Sequence, residues 1–438
     1  MIYSGKSAIV LGLGHSGEAA AALLKEEGAT VTVADSSDNP SVREKAAWLE
    51  TAGIRVLLGA EADTDPATYD ICVLSPGIDP IVPLVRNVVA KEIPIIGELE
   101  LAFQECTCPC VAITGTNGKT TTTELTTAML LGCGVRTMAS GNIGLPFATA
   151  VRQSHQLDVM VLETSSFQLE TIEQFRPHVA VWLNLSANHL DRYRDVEEYR
   201  TAKLRIFEQQ TPDDFAVINA RDALPPLVAR KLTFSAYTDA ADFTLIGSVI
   251  HFRGTPILDQ AKTKLPGIHN AENLMAALAI GHALGVDFDL MAAAVLDYTA
   301  PAHRCEFVRD LDGVRWINDS KATNLDAMEK AILSQDRPLV LIAGGKDKGF
   351  EFDDIAPLVK ERVRSTVLIG EMKDRIAASW AATPSRKAAT LEEAVAVARA
   401  VAQPGDTVLF SPGTSSFDMF RNYGERGNQF KNAVNALT

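Results

Sequence analysis

The chain has 438 residues, too many for one hydrophobic core and enough for about two to four domains. Hydrophobic residues make up 47% and charged residues 22%, which excludes a disordered chain. With 41 Lys and Arg against 55 Asp and Glu the net charge is −14, so the mean field repels polyanions; nucleic acid is not an expected partner, and any phosphate must be held by a few local donors.

The amino-terminal apolar run stops at glycines and Glu18 with no small-residue cleavage site, so no signal peptide is expected. The uncharged stretch from Asn273 to Val286 is shorter than the ~20 residues of a membrane span. Six cysteines are too few for a disulfide framework in a chain of this size, which fits a reducing cytoplasm.

In chain order, short apolar runs alternate with helical patterns: Ser7 to Leu11, Val31 to Ala34, Asp70 to Leu74, Val111 to Thr114, Asp158 to Leu162, Val179 to Leu183, Leu339 to Ala343, Thr366 to Ile369 and Thr407 to Phe410. This pattern predicts an α/β fold of βαβ units with mostly parallel sheets. The first run leads into Gly12, Gly14 and Gly17, a GxGxxG loop opening a helix near Ser16, with Asp35 about twenty residues on. Such a loop turns its amides toward a phosphate, although the same glycines also serve tight helix-strand packing. Ser75-Pro76-Gly77 follows the next strand and is placed to form the neighbouring wall of that crevice.

The stretch from Ile93 to Gly97 closes the first block. The sequence CTCPC at 106 to 110 then invites a metal reading, but its thiols are two apart with no second pair or nearby His; the plainer reading is a thiol-rich edge of the next strand. VAITGTNGKTTTTEL is the strongest motif: a buried strand, a loop of Gly115, Thr116, Asn117 and Gly118, then Lys119, Thr120 and Thr121 opening a helix. Loop amides and the Lys119 ammonium suit the phosphates of ATP, and the Thr120 hydroxyl suits Mg2+. Ile113 stands where the full Walker pattern has glycine, so a shorter loop is expected.

A metal-bound phosphate also needs a carboxylate, and Glu163 ends the strand DVMVLE, where parallel sheets place ligands. His189 and Asp191 lie beyond the strand starting at Val179, at the same sheet edge. An antiparallel patch is expected from Leu232 to Phe234, Phe243 to Ile246 and Val249 to Phe252. Pro301-Ala302-His303 marks a second seam, giving three predicted domains at 1–97, 98–302 and 303–438, with a hinge around Thr299 to Ala302 that closes on ligand binding.

GTNGKTT, LETSSFQLE, ANHLDRY, YRTAKLRIF, GIHNAENLMAA, PAHRCEFV, NDSKATN and SPGTSSFDMF, in that order, resemble the Mur ligases, ATP-dependent amide-forming enzymes of bacterial cell-wall precursor synthesis. GLGHSG, SPGI and NDSKATN resemble the branch that adds D-glutamate. The resemblance implies Rossmann-like first and third domains around a P-loop-type ATPase domain. It also implies a cytoplasmic, monomeric enzyme with ATP and Mg2+ as cofactors and UDP-N-acetylmuramoyl-L-alanine and D-glutamate as substrates, joined through an acyl phosphate.

By the same resemblance Lys119, Glu163, His189 and Lys203 are catalytic. Thr120, Glu163, His189 and a carbamylated Lys203 hold metal. Asn270, Asn273, Arg304 and Asp319 join the phosphate loop in holding ATP. Ser16, Gly17, Asp35, Gly77, Asn142 and His189 meet the UDP-substrate, and Thr323, Lys348, Ser416 and Tyr423 meet D-glutamate. A nicotinamide-dependent oxidoreductase leaves GTNGKTT and the last third unexplained. A folate polyglutamate synthase begins near the phosphate loop and lacks the first block. A non-catalytic scaffold is expected to lack one of Lys119, Glu163 or His189.

Overall fold

The computed structural model describes residues 2–438 apart from Pro66, Pro80, 186–191, Pro266, 300–301, Asp336 and 348–349. Three α/β sheets follow one another along the chain. The first holds β1 (Ser7–Leu11), β2 (Thr30–Asp35), β3 (Arg55–Leu58), β4 (Ile71–Leu74) and β5 (Ile95–Gly97) in the order β3-β2-β1-β4-β5, all parallel.

The second comprises β6 (Cys110–Thr114), β7 (Thr137–Gly141), β8 (Val159–Glu163), β9 (Val179–Trp182), β10 (Phe215–Asn219), β11 (Arg230–Ser235), β12 (Phe243–Ile246), β13 (Val249–Phe252) and β14 (Thr255–Asp259). Its order is β14-β13-β12-β11-β10-β9-β6-β8-β7. The third joins β15 (Glu306–Leu311), β16 (Val314–Asn318), β17 (Leu339–Gly344), β18 (Val363–Ile369), β19 (Ser385–Lys387) and β20 (Thr407–Phe410) in the order β15-β16-β20-β17-β18-β19, with only the β15/β16 pair antiparallel.

One expectation is corrected. The strand at Leu232 to Phe234 is not antiparallel: β11 runs parallel to β10 along its length and to β12 at Phe234 and Ser235, and antiparallel pairing begins only at β12/β13. The turn between β12 and β13, at Gly247, is short enough for a hairpin, whereas β10 and β11 are joined by a crossing segment.

The chain forms two compact units, Met1–Thr299 and Ala300–Thr438. In the first, side chains of the first sheet (Val10, Val33, Val73) and of the second (Ala112, Leu162, Trp182) belong to one continuous buried cluster with Leu99 and Phe147. A second cluster lines the other face of the second sheet under helix Ile268–Ala283. In the second unit, apolar clusters cover both faces of the third sheet, as its uninterrupted apolar strands require. No helix among the described residues is long and apolar enough to cross a membrane.

Candidate active site

All five residues of β6 are buried between β9 and β8, so the backbone leaves the sheet at Thr114 with a fixed direction. The loop that follows is braced from β9: Asn184 accepts from the Thr116 amide at 3.0 Å and, through its side chain, from the Asn117 amide at 2.9 Å, while donating to the Asn117 carbonyl at 3.0 Å. Gly118 is left-handed at φ 85°, and a Cβ there would fall 2.7 Å from Asn273 Oδ1. Only glycine lets the loop turn and helix Lys119–Gly132 begin under that asparagine.

The loop gathers most of the predicted residues of this domain. Lys119 Nζ donates to the Gly115 and Thr116 carbonyls, each at 2.9 Å, holding its charge over the loop. Thr120 Oγ1 donates to Glu163 Oε2 at 2.7 Å, and Asn142 Nδ2 donates to Glu163 Oε1 at 2.8 Å, so Asn142 and Thr120 share the β8 carboxylate. Thr121 lies in the first turn of the same helix. Asn273 accepts from Thr122 Oγ1 at 3.1 Å and stands 3.4 Å from Asn270, which brings helix Ile268–Ala283 to the loop.

Lys203 is 1% exposed, donates to the Gly115 carbonyl at 3.0 Å, and stands 4.6 Å over the Tyr199 ring. Burial and the nearby Lys119 charge hold its amine well below the ordinary lysine range, favouring the neutral form. His189 and Asp191 lie outside the described residues.

The donor set at the loop suits a small hard cation. Thr120 and Glu163 offer two oxygens, and among the described residues no group of three or more His, Cys, Asp and Glu is arranged to hold a metal ion. Mg2+ keeps much of its shell as water and phosphate oxygen, so two protein oxygens beside a phosphate loop are a fitting complement.

The first sheet presents a different loop. Helix His15–Glu26 starts at Ser16's neighbour with no side-chain cap, leaving its first amides open. A Cβ on Gly17 would lie 1.9 Å from the Gly12 carbonyl oxygen. Asp35, at the end of β2, accepts from the Leu13 amide and the Ser37 amide, both at 2.8 Å, so its carboxylate braces the loop. Ser75 Oγ reaches the Gly12 carbonyl at 3.3 Å, and Gly77 stands clear of neighbours, which sets the segment 75–77 beside the glycine loop.

Sequence reasoning missed the residue that ties this wall to the second sheet. Arg192 donates to the Pro76 carbonyl at 3.2 Å and to Glu170 at 2.8 Å, with its guanidinium 4.3 Å over the Phe167 ring. ANHLDRY contains it, but nothing local in that motif points to Pro76.

In the second unit, Arg304 sits between two left-handed non-glycine residues, His303 at φ 67° and Cys305 at φ 43°. Such backbone is held only where its surroundings over-determine it. Here the Cys305 amide donates to Asp319 at 3.1 Å and the His303 amide to Glu306 at 2.9 Å. Asp319 also accepts from Ser411 Oγ at 2.7 Å, and its burial pushes it up to about 7.

Arg426, another residue the sequence did not flag, is 1% exposed and donates to the Ser320 carbonyl at 2.8 Å and the Thr414 carbonyl at 3.1 Å. It joins the segment carrying Thr323 to the one carrying Ser416. Ser416 is buried, Thr323 half-buried and Tyr423 exposed at the start of the last helix, where its carbonyl accepts from Ser320 Oγ at 2.8 Å. Lys348 lies outside the described residues.

Three family models match the chain: the Mur ligase MurD-like N-terminal domain over 6–97, the Mur ligase middle domain over 113–281, and the Mur ligase glutamate ligase domain over 303–413. The chain is 44% identical over 447 residues to a UDP-N-acetylmuramoylalanine–D-glutamate ligase of Geobacter metallireducens, covering 100% of this chain and 99% of that one. It is 43% identical to the protein of that name in Geotalea daltonii, with the same coverage.

Among solved structures, a murein peptide ligase from Psychrobacter arcticus superposes with TM-score 0.52 at 16% identity over 99% of this chain and 100% of that one. A UDP-N-acetylmuramate-alanine ligase from Thermotoga maritima gives 0.51 at 18% over 98% and 99%. These two likenesses speak for the fold, and the sequence matches for the kinship. With a family model matching within each of its three sheets and relatives aligned from end to end, the chain belongs to the Mur ligase family.

Proposed function

We propose that this chain joins D-glutamate to UDP-N-acetylmuramoyl-L-alanine in peptidoglycan precursor synthesis, consuming ATP and releasing ADP and phosphate. The observation that carries the reading is the 44% identity, over the full chain, to a ligase named for that reaction. The cluster of Lys119, Thr120, Glu163 and Lys203 at one sheet edge supports it.

A carboxylate oxygen is a poor leaving group, so the L-alanyl carboxylate first takes the γ-phosphoryl group of ATP. The D-glutamate amine then attacks the acyl carbon, and inorganic phosphate departs. Catalysis of such a transfer is mainly positioning and charge neutralisation. Lys119 exchanges its two loop carbonyls for phosphate oxygens, and the amides after Gly115 face the same group. Thr120 and Glu163 hold Mg2+, which supplies further neutralisation of the phosphates. Asn142 keeps the Glu163 carboxylate turned toward Thr120.

His189 and a carbamylated Lys203 complete the metal-holding set in this reading. Burial lowers the proton affinity of the Lys203 amine and so favours the lone pair that adds to CO2; one N–H proton passes to solvent as the carbamate forms. Asn270 and Asn273 hold adenine, and Arg304 and Asp319 the remaining parts of ATP. Residues 1–97 take the UDP-substrate, with Ser16, Gly17, Asp35 and Gly77 near the nucleotide; 98–302 take ATP; 303–438 take D-glutamate through Thr323, Lys348, Ser416 and Tyr423. The enzyme acts as a cytoplasmic monomer.

The test is phosphate release from ATP with UDP-N-acetylmuramoyl-L-alanine present, offering D-glutamate, L-glutamate, L-alanine or meso-diaminopimelate. Release with D-glutamate alone is expected. Release with another acceptor alone overturns the substrate assignment, and none with any acceptor, in folded protein, overturns the reaction.

A further inference from the structure

The thiols of Cys106, Cys108 and Cys110 take no part in the ligase reading. Cys106 directly follows helix Glu98–Glu105, and Cys110 opens β6. Cys106 Sγ is the middle member, 3.7 Å from Cys110 Sγ and 3.9 Å from Cys108 Sγ. The link between them is pinned: the Thr107 amide donates to Ser154 Oγ at 3.2 Å, and the Pro109 carbonyl accepts from the Met160 amide at 2.9 Å. Cys106 and Cys108 are half-buried, whereas Cys110 is 1% exposed. All six cysteines of the chain are free.

Three thiols at such separations suit either a soft metal or thiol-disulfide exchange. The trio is not among groups arranged for a metal ion. Exchange needs an attacking thiolate, a second thiol within reach of the same sulfur, and access from solvent. Cys106 has both other sulfurs within 4 Å of its own and is only half-buried, so position makes it the thiol suited to attack. Its Sγ lies within hydrogen-bonding distance of both neighbouring sulfurs and 3.3 Å from the Cys108 carbonyl; these contacts hold its thiol well below the ordinary cysteine range, while the same contacts together with burial hold Cys108 and Cys110 up. Bonding the nearer pair requires a closing movement of about 1.7 Å to reach the ordinary S–S length, on the scale of side-chain rotation.

We propose that Cys106 and Cys110 form a reversible disulfide by exchange with a low-molecular-weight disulfide, Cys106 being the attacking thiol. In the first step Cys106 thiolate attacks one sulfur of the small disulfide, its S–S bond breaks, and one small thiolate leaves. In the second, Cys110, giving its proton to solvent, attacks Cys106 Sγ and expels the other small thiolate. The two protein sulfurs are oxidised, and one small disulfide is reduced to two thiols. Cys108 stays reduced beside the bond.

The experiment exposes the full chain to oxidised glutathione, then denatures and alkylates it for intact mass and peptide mapping. Wild type is expected to lose two alkylatable thiols without retaining glutathione, both within the peptide spanning 106 and 110. Cys108→Ser keeps that result. Cys110→Ser stops at the first step and holds one glutathione on Cys106. Cys106→Ser does neither, and Cys106→Ala repeats the test should the serine variant melt early.

A variant lacking Cys72, Cys133 and Cys305 behaves as wild type. Retention of the bond without Cys106, its loss in Cys108→Ser, or stable glutathione adducts on wild type each overturns the proposal.

Discussion

Two glycine-rich loops leave two parallel sheets in this chain, each at a strand end and each opening a helix, yet their polar groups are spent differently. In the first, the acid is turned toward the loop: one Asp35 oxygen accepts the loop amide of Leu13 and the other the Ser37 amide just after it, and Gly17 is required because the Gly12 carbonyl occupies the space of its Cβ. In the second, charge is kept at the mouth: Lys119 rests on loop carbonyls, and among the described residues the Glu163 carboxylate takes a hydroxyl and an amide side chain. The first loop is closed on itself by its own backbone and by Asp35. The other keeps an ammonium and a carboxylate at its mouth. The same GxxG grammar thus yields two different environments according to which ionisable side chains the neighbouring strands deliver.

This division is broken most sharply at Lys119. Lys119→Ala is expected to cut ligase turnover by about a hundredfold to a thousandfold, the scale seen when a group stabilising developing charge is removed; phosphate release measures it. A smaller loss than tenfold would mean the charge is supplied elsewhere.

Next in size is a pH effect confined to the first loop's surroundings. Helix His15–Glu26 packs on helix Phe147–Ala150, whose Ala148 amide donates to buried Glu98. Burial pushes Glu98 from 4.5 up to about 7, so the folded state favours its neutral form. Its contribution is fully present below pH 4.5 and is lost as pH rises through about 7, on the order of 3 kcal/mol in all. Urea unfolding of Glu98→Gln from pH 4.5 to 7.5 is expected to lack that part of the slope.

Gly17→Ala follows, with about 2 kcal/mol of stability lost because backbone stands in the way of the methyl group, and a raised KM for the UDP-substrate. An unchanged melting point would show that the loop yields. Asp35→Asn is the smallest change, about 1 kcal/mol, since the amide keeps one acceptor and presents a donor to the other of the Leu13 and Ser37 amides. Chemical denaturation reads it directly, and turnover at saturating substrate is expected to stay near wild type.

The sequence made much of this legible because apolar strand runs ending in glycine, lysine or acid are local signals. VAITGTNGKT and DVMVLE announced the loop and its carboxylate, and the structure brings Thr120 to Glu163. What stayed hidden depends on distant partners. Asn184 braces the phosphate loop across 67 positions, Arg192 reaches Pro76 across 116, and Arg426 reaches Ser320 across 106. A lone polar residue in a loop has no pattern that names its partner. The strand at Leu232 misled for a related reason: its β-propensity was plain, but its direction is set by how the chain crosses to it. The roles of His189 and Lys348 rest on the motifs that contain them.

The most direct measurement is calorimetric titration of ATP with Mg2+, and separately of UDP-N-acetylmuramoyl-L-alanine, into wild type and Lys119→Ala. The account predicts ATP affinity weakened at least tenfold with UDP-substrate affinity held within about twofold, equal to less than ~0.5 kcal/mol. Equal losses for both ligands in a folded variant, or undiminished ATP binding, would contradict the separation of the two loops' work.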